Sequence, residues 1–268
     1  MRKIHLKYYD RGNFGDVLNP YLVNLINPNL NIFHTLGKIP LLMKAGKFLG
    51  LIPKENYIFI GSTLHLLDED SIICGAGFIS EEEKCRRKPK KIISVRGLLT
   101  RQKFLEAGID CPKIYGDPAL LLPKFYKPKS KKKYELGIIP HYVDRKNIFL
   151  KEFLGRGDVK LINVLGNVED VIEDIFSCKK IASSSLHGLI VADAYGIPST
   201  WLEFSDKVIG RGFKFKDYFL SVGRPIEKSL RFGPDTTLNE ILERCKKHKL
   251  KLDIEKMLRV CPFKKLSN

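Results

Sequence analysis

Short apolar runs alternate with amphipathic stretches along almost the whole chain. The runs at 57–61 (YIFIG), 71–75 (SIICG) and 92–95 (IISV) are uniformly apolar, and the first two end in glycine. Uniformly apolar strands that alternate with helices are typical of a parallel sheet covered on both faces. The pattern therefore predicts an α/β fold, whose ligands bind beyond the carboxyl ends of the strands.

This alternation occurs twice along the sequence. The first series begins with a strand at 4–9 and ends with a predicted strand at 113–122. A lysine-rich segment follows, and strands resume at residue 136. We therefore predict two Rossmann-like domains that face a cleft. The first spans residues 1–125, and the second spans residues 134–268 and ends in C-terminal helices.

The stretch from Ile181 to Gly223 carries the strongest candidate site. A predicted strand end is followed by three serines, a histidine and an apolar helix, in the order Ser183, Ser184, Ser185, Leu186, His187, Gly188. Unpaired N–H groups and the helix dipole favour anions at such a helix N-terminus. A loop with Glu203, Lys207 and Arg211 comes after the helix. The alternative is a serine-capped strand–turn–helix unit with a surface loop, but a histidine in the first turn favours a site.

A glycine-containing turn follows the first predicted strand. It contains Asn13 and Gly15 and runs into Asp16, which we expect to cap the next helix. The backbone of such a turn can approach a phosphate or a sugar closely. The turn lacks the full dinucleotide-binding pattern and is a weak signal by itself.

Two more turns of the first domain hold candidate ligands. Gly75 and Gly77 follow the SIICG run, and Arg96 follows the IISV run just before a helix. An arginine there can bind a carboxylate or phosphate with two N–H groups, and we prefer this role to a surface ion pair. Asp117 lies in a Gly-Asp-Pro turn, where it either shapes the turn or faces the cleft.

The composition is that of a globular protein. Of 268 residues, 44% are hydrophobic, and no apolar stretch is long enough to span a membrane. The six cysteines show no CxxC pair and no metal-ligand spacing, so we expect reduced thiols and no metal. No secretory signal is visible, and we expect a cytoplasmic protein.

The net charge of +17 favours anionic partners. Basic clusters lie at 84–91 and 124–133, but no nucleic-acid-binding motif accompanies them. Contact with an anionic membrane surface, at the inner face of the membrane, fits better than nucleic acid. The apolar segment 39–53 is either an interfacial helix or, as we prefer, a helix packed on the sheet.

Six motifs in order resemble those of the polysaccharide pyruvyl transferases. They are NFGDVLN at 13–19, GAGF at 75–78, VRGLLTR at 95–101, GDPALLLP at 116–123, SSSLHGLIVA at 183–192 and EFSDKVIGRGFKFKDY at 203–218. Each motif is weak alone. The ordered set spans nearly the whole chain and is highly specific at the level of a family.

The resemblance implies a fold like that of two-domain GT-B glycosyltransferases and a transfer reaction without a cofactor. The implied donor is phosphoenolpyruvate, and the product is a pyruvate ketal on a sugar of a surface polysaccharide or its lipid-linked precursor. In the family, the arginine of the VRG motif and an Arg-Leu-His triplet are associated with the donor. The first maps onto Arg96, and the triplet maps onto Leu186 and His187 with Ser185 in place of arginine. We expect Arg211 or Lys207 to supply the missing positive charge.

The chemistry assigns roles to these candidates. His187 is the best proton donor, because imidazole titrates near the working pH. Asp16, Asp117 and Glu203 are the candidate bases for the acceptor hydroxyl. The predicted substrate-binding residues are Asn13, Gly15, Gly75, Gly77, Arg96, Ser183, Ser184, Ser185, Leu186, Gly188, Lys207 and Arg211.

Two alternatives stay open. The first is a glycosyltransferase of the same architecture that uses a nucleotide sugar. The second is a basic protein that binds membranes or nucleic acid without catalysis, which leaves the motifs around Arg96, Asp117 and His187 unexplained.

Overall fold

The structure is a computed structural model that describes residues 2–10, 12–34, 46 and 49–264. It contains two sheets of five parallel strands each. Most of the apolar segment at 39–53, with its two alternative interpretations, lies outside the described residues. Within the described part of the chain, no helix combines the length and the apolar character needed to cross a membrane.

The first sheet has the strand order β2-β1-β3-β4-β5. Its strands are β1 (Arg2–Leu6), β2 (Leu30–His34), β3 (Asn56–Ile58), β4 (Ser71–Cys74) and β5 (Lys91–Ser94). Ile73 of β4 is fully buried, as expected of a central strand in a sheet covered on both faces.

The second sheet has the order β10-β9-β8-β6-β7. Its strands are β6 (Tyr134–Ile139), β7 (Val159–Leu161), β8 (Cys178–Ser183), β9 (Ser199–Glu203) and β10 (Leu230–Arg231). Counted within each sheet, both orders are 2-1-3-4-5, a doubly wound arrangement that is compatible with Rossmann-like domains. The prediction of two parallel α/β sheets is confirmed. In each sheet the strand order reverses between the first and third strands, where such folds bind ligands.

Helices cover both sheets. They are α1 (Phe14–Ile26), α2 (Leu98–Glu106), α3 (Leu122–Phe125), α4 (Val168–Phe176), α5 (Leu186–Ala194), α6 (Phe213–Val222), α7 (Leu238–Arg244) and α8 (Ile254–Val260). Short 3₁₀ helices lie at Leu64–Leu66, Pro118–Leu121 and Ile148–Phe153. Helix α4 shows why such segments are helical. Its buried residues Val168, Val171, Ile172 and Ile175 form one apolar face, and Asn167 caps its first turn.

Two local predictions are wrong. Asp16 does not cap α1, because the helix begins at Phe14, and the Asn13 carbonyl accepts the N–H groups of Asp16 and Val17. The segment 113–122 is not a strand beyond an isolated bridge between Val95 and Tyr115. The Asp-Pro pair starts a 3₁₀ helix there instead, because proline at a first helical position is preset for a helical turn.

Residues 126–133 separate the two sheets along the sequence. The C-terminal segment packs against residues of the first sheet and the loop after it. The ring of Phe263 packs edge-on against Phe59 at 4.9 Å and Tyr57 at 5.0 Å between centroids. The linker itself is held by Glu173 of α4, which accepts the N–H groups of Lys129 and Ser130. The domain limits 1–125 and 134–268 stay a prediction.

Candidate functional site

The loops after the central strands of both sheets meet around one cavity of about 320 Å³. The reversal points of the two strand orders therefore contribute to the same space. From the first sheet the lining includes Tyr9, Asn13, Asp16, Ser62, Thr63 and His65. From the second it includes His141, Tyr142, Ser185, Leu186, His187 and Lys214.

The serines between β8 and α5 hold this wall of the cavity in place. The Ser183 hydroxyl accepts the Ser185 N–H at 3.0 Å and donates to the Ser185 carbonyl at 2.8 Å. The Ser184 hydroxyl accepts the His141 N–H at 2.8 Å and so ties the β6 loop to the β8 loop. Ser185 is the N-cap residue of α5, and its side chain makes no capping hydrogen bond. The cavity is thereby lined by Ser185 and by the N-terminal turn of α5, while Ser183 and Ser184 are buried behind them.

His187 lies in the first turn of α5 and approaches a carboxylate of the first domain. Its Nε2 atom lies 3.6 Å from Oδ2 of Asp117, which is longer than a hydrogen bond. Neither atom has a hydrogen-bond partner among the described residues, although both are buried. The other oxygen of Asp117 accepts the Ala119 N–H at 3.0 Å. One oxygen of Asp117 therefore shapes the turn and the other lies near His187, whereas Asp117 itself is fully buried and outside the cavity lining.

Several predicted glycines make room for functional neighbours. A Cβ atom at Gly15 would overlap the imidazole of His187, and one at Gly188 would overlap the Ser183 hydroxyl. A Cβ at Gly77 would overlap the guanidinium of Arg96, and one at Gly75 would overlap the ring of Pro118. None of the four is among the residues that line the cavity. In the structure these four glycines allow close packing behind the cavity lining.

Arg96 lies one layer behind the cavity, fully buried. Its Nε donates to Oδ2 of Asp217 at 2.9 Å, Nη1 to the Ser62 hydroxyl at 2.6 Å and Nη2 to the Phe78 carbonyl at 2.6 Å. Asp217 belongs to α6, so this ion pair joins the parts of the chain that carry the two sheets. Ser62 lines the cavity, and Arg96 therefore reaches the site through that hydroxyl. Direct contact between Arg96 and a substrate stays a prediction.

The charged residues predicted for the site in and before the loop after β9 lie outside the cavity lining. Lys207 and Arg211 are exposed, and neither lines the cavity. Glu203 accepts a hydrogen bond from the Ser229 hydroxyl at 2.5 Å and also lies outside the cavity lining. The cavity-lining residue of this loop is Ile209. The predicted roles of the three charged side chains stay predictions.

Lys214 and His141 line the cavity and were missed from the sequence. Burial, followed by the charge of Arg96, lowers the pKa of Lys214 to about 8, and Asp16 partly opposes this shift. Burial, followed by Lys214 and His187, lowers the pKa of His141 to about 3. Lys214 lies within the matched EFSDKVIGRGFKFKDY motif between two phenylalanines. A lysine flanked by aromatic residues at a helix start was the available signal.

A second, larger groove of about 980 Å³ adjoins the cavity. It is lined by Lys7, by residues 64–68 and by residues 82–87, which include part of the first basic cluster. His65 lines both spaces. The groove carries charges of both signs and lies on the other side of His65 from the cavity.

The sequence profile of the polysaccharide pyruvyl transferases matches residues 3–206. Residues 58–60 and 183–187, at the strand ends around the cavity, lie within this match, whereas Lys214 lies beyond it. The chain is also 33% identical over 178 residues to uncharacterized protein L143 of Acanthamoeba polyphaga mimivirus. This alignment covers 63% of this chain and 60% of that protein. It is 29% identical over 221 residues to succinoglycan biosynthesis protein ExoV of Rhizobium meliloti (strain 1021), covering 79% of this chain and 62% of that protein. The aligned part of this chain spans about three fifths of the length of each relative.

Proposed function

Because the chain belongs to the polysaccharide pyruvyl transferase family, we propose that it transfers the enolpyruvyl unit of phosphoenolpyruvate to a saccharide. The product would be a pyruvate ketal on two hydroxyls of the sugar, with release of phosphate. The observation that carries this proposal is the cavity where the loops at the points of reversed strand order in the two sheets meet. It combines a helix N-terminus with His187, whose Nε2 lies 3.6 Å from the Asp117 carboxylate.

The bonds of the reaction balance without a further reactant. The terminal carbon of the donor takes a proton, and the oxygen of the first sugar hydroxyl bonds to C2 and loses its own proton, which replaces the one given to the carbon. The bond from C2 to the phosphate oxygen then breaks, and its electron pair leaves with phosphate. The second hydroxyl oxygen bonds to C2, and its proton leaves with the phosphate. No metal or organic cofactor is required by this balance.

In this proposal His187 delivers the proton to the donor carbon, because it lines the cavity and histidine is the side chain that most often acts as a general acid. Asp117 orients the imidazole and stabilises its protonated form. The 3.6 Å separation is compatible with that role, since catalytic hydrogen bonds are often long before substrate binds. The N–H groups of the first turn of α5 favour the departing phosphate through the helix dipole.

Asp16 is the carboxylate we assign to the acceptor hydroxyl. It lines the cavity, whereas Glu203 does not, and Asp117 faces His187. The rings of Tyr9 and Tyr142 also line the cavity and offer apolar faces for a sugar ring. Arg96 holds Ser62 and α6 in place through its hydrogen bonds and thereby supports the cavity lining on both sides.

The acceptor we propose is a saccharide of a surface polysaccharide, carried by a lipid-linked precursor. The groove next to His65 would take the part of the acceptor beyond the reacting sugar. The net charge of +17 would favour peripheral contact with the anionic inner face of the membrane, and thus a cytoplasmic location. The facing parallel sheets also suit the GT-B-like architecture that the sequence suggested.

The test uses purified protein, phosphoenolpyruvate and a set of lipid-linked and synthetic glycosides. We expect phosphate release that depends on acceptor, together with a product whose mass has increased by one pyruvate ketal. No release with any acceptor would contradict the proposal. If instead nucleotide sugars raise the melting temperature and phosphoenolpyruvate does not, the glycosyltransferase alternative replaces it.

A further inference from the structure

Lys214 is a buried lysine whose ammonium has no hydrogen-bond partner within the described part of the chain. It is the second residue of α6 and is only 8% exposed. Its Nζ lies 5.7 Å from the centroid of the Phe215 ring, and no ion pair joins it to a described carboxylate. Burying an ammonium without a paired charge is unfavourable for folding. A side chain in this state is explained most directly by a ligand that supplies the missing partner.

The position of Lys214 indicates where that ligand would lie. Lys214 lines the same cavity as Ser185 and His187, at the N-terminus of α5. Ser185 carries no charge there. Of the described residues that line this cavity, Lys214 is the only lysine or arginine. The positive end of α5 and the ammonium of Lys214 therefore act on the same space.

We propose that Lys214 and the first turn of α5 form the subsite for the phosphate group of the donor. This inference rests on the proposed function, because the donor is the phosphoenolpyruvate named above. It assigns the missing positive charge to Lys214 instead of the exposed Lys207 or Arg211.

The chemistry favours phosphate over the donor carboxylate in this subsite. The lysine ammonium is a compact point charge, which suits a dianion, whereas planar carboxylates are matched best by the two N–H groups of an arginine. Arg96, whose charge acts on Lys214, already donates to Asp217, Ser62 and Phe78. Backbone N–H groups at a helix N-terminus complete a typical phosphate site.

The charged and titratable groups around Lys214 come from several elements. Asp16 belongs to α1, Arg96 follows β5, His141 follows β6 and His187 belongs to α5. Asp16 is the acidic neighbour and Arg96 the basic one, so their charges act on Lys214 in opposite directions. A bound phosphate would add negative charge and stabilise the protonated ammonium.

The test measures melting temperature with inorganic phosphate, phosphoenolpyruvate or pyruvate added separately to the full chain. Pyruvate carries the carboxylate without the phosphate. We expect phosphate and phosphoenolpyruvate to stabilise the wild-type protein and pyruvate to have a much smaller effect. In Lys214→Met and Lys214→Gln, phosphate binding should weaken about tenfold or more, as for loss of a charge-assisted contact. Lys216→Met removes an exposed lysine of the same helix and should bind phosphate like the wild type.

Three outcomes would overturn the subsite. They are unchanged phosphate binding in both Lys214 variants, equal loss in Lys216→Met, and stabilisation by pyruvate but not by phosphate. Folding does not obscure the result, because removing an unpaired buried ammonium should leave the unliganded variant at least as stable as the wild type at neutral pH.

Turnover separates this inference from the proposed function. Phosphate binding that needs Lys214, in a protein that forms no ketal with any acceptor, supports the subsite and contradicts the transferase. Ketal formation with an unchanged KM for phosphoenolpyruvate in Lys214→Met supports the transferase and contradicts the subsite.

Discussion

Nε2 of His187, which lines the cavity, lies 3.6 Å from Oδ2 of the fully buried Asp117. Both atoms are buried and without a hydrogen-bond partner among the described residues. A small shift of either side chain would bring the two atoms within the hydrogen-bond range of about 2.6–3.2 Å and would orient the imidazole.

This pair gives the first prediction. His187→Asn should lower kcat for phosphate release by about 10²–10⁴-fold, the usual contribution of a positioned acid–base group. Asp117→Asn should have a smaller effect, because the imidazole is still present but less well oriented. The measurement is a phosphate-release assay with a saturating donor. His248→Asn, which changes a histidine outside the cavity lining, is the control. Near-wild-type turnover of His187→Asn would remove His187 from the mechanism.

Gly15→Ala tests the packing behind His187. The new methyl group would overlap the imidazole, so the ring must move away from its present position. A displacement of about 1 Å is enough to cost about 10²-fold in rate. We expect loss of turnover with a melting temperature close to that of the wild type. Gly157→Ala is the matched control, because nothing lies within 4 Å of a Cβ atom there. Full activity of Gly15→Ala would mean that the imidazole position is not critical.

The Arg96–Asp217 pair is predicted to stabilise the arrangement of the two domains. Both side chains are fully buried, and Asp217 also accepts the N–H and hydroxyl of Thr100. Asp217→Asn should lower the free energy of unfolding by about 3–5 kcal/mol, because it leaves a buried guanidinium without its counter-charge. Urea denaturation measures the change. Asp158→Asn breaks the exposed pair with Arg156 and should leave the urea midpoint nearly unchanged. Equal midpoints for the two variants would contradict the prediction.

Lys214 predicts a dependence of stability on pH. Burial and the nearby Arg96 lower its pKa to about 8, from the ordinary value of 10.5 that it regains on unfolding. Between these two values the unfolded chain binds more protons than the folded chain, so the stability contribution of Lys214 rises with pH. Below about pH 8 both states are protonated, and the full destabilisation remains.

The expected result is that Lys214→Met is more stable than the wild type at neutral pH. The difference should shrink as the pH rises from about 8 toward 10.5. Urea midpoints measured across this range test the prediction, with Lys216→Met as the control for a lost surface charge. A difference that stays constant with pH would show that the ammonium is not destabilised by its surroundings.

The sequence by itself determined the two α/β series, because strand and helix periods and glycine turns are local properties of the chain. It also located the strand-to-helix junctions that carry Asp16, Arg96 and His187. It misplaced the start of α1, since the Asn13 backbone decides where that helix begins. It also missed the 3₁₀ helix that starts after Asp117.

Only the tertiary structure decided which of these junctions face each other. Arg96 pairs with Asp217, 121 residues away, and is withdrawn behind the cavity by that bond. In the sequence Lys214 is one of many lysines, and only the structure shows that it is buried. The physical reason is that burial and ion pairing depend on segments far apart in sequence, and local patterns carry no information about such partners.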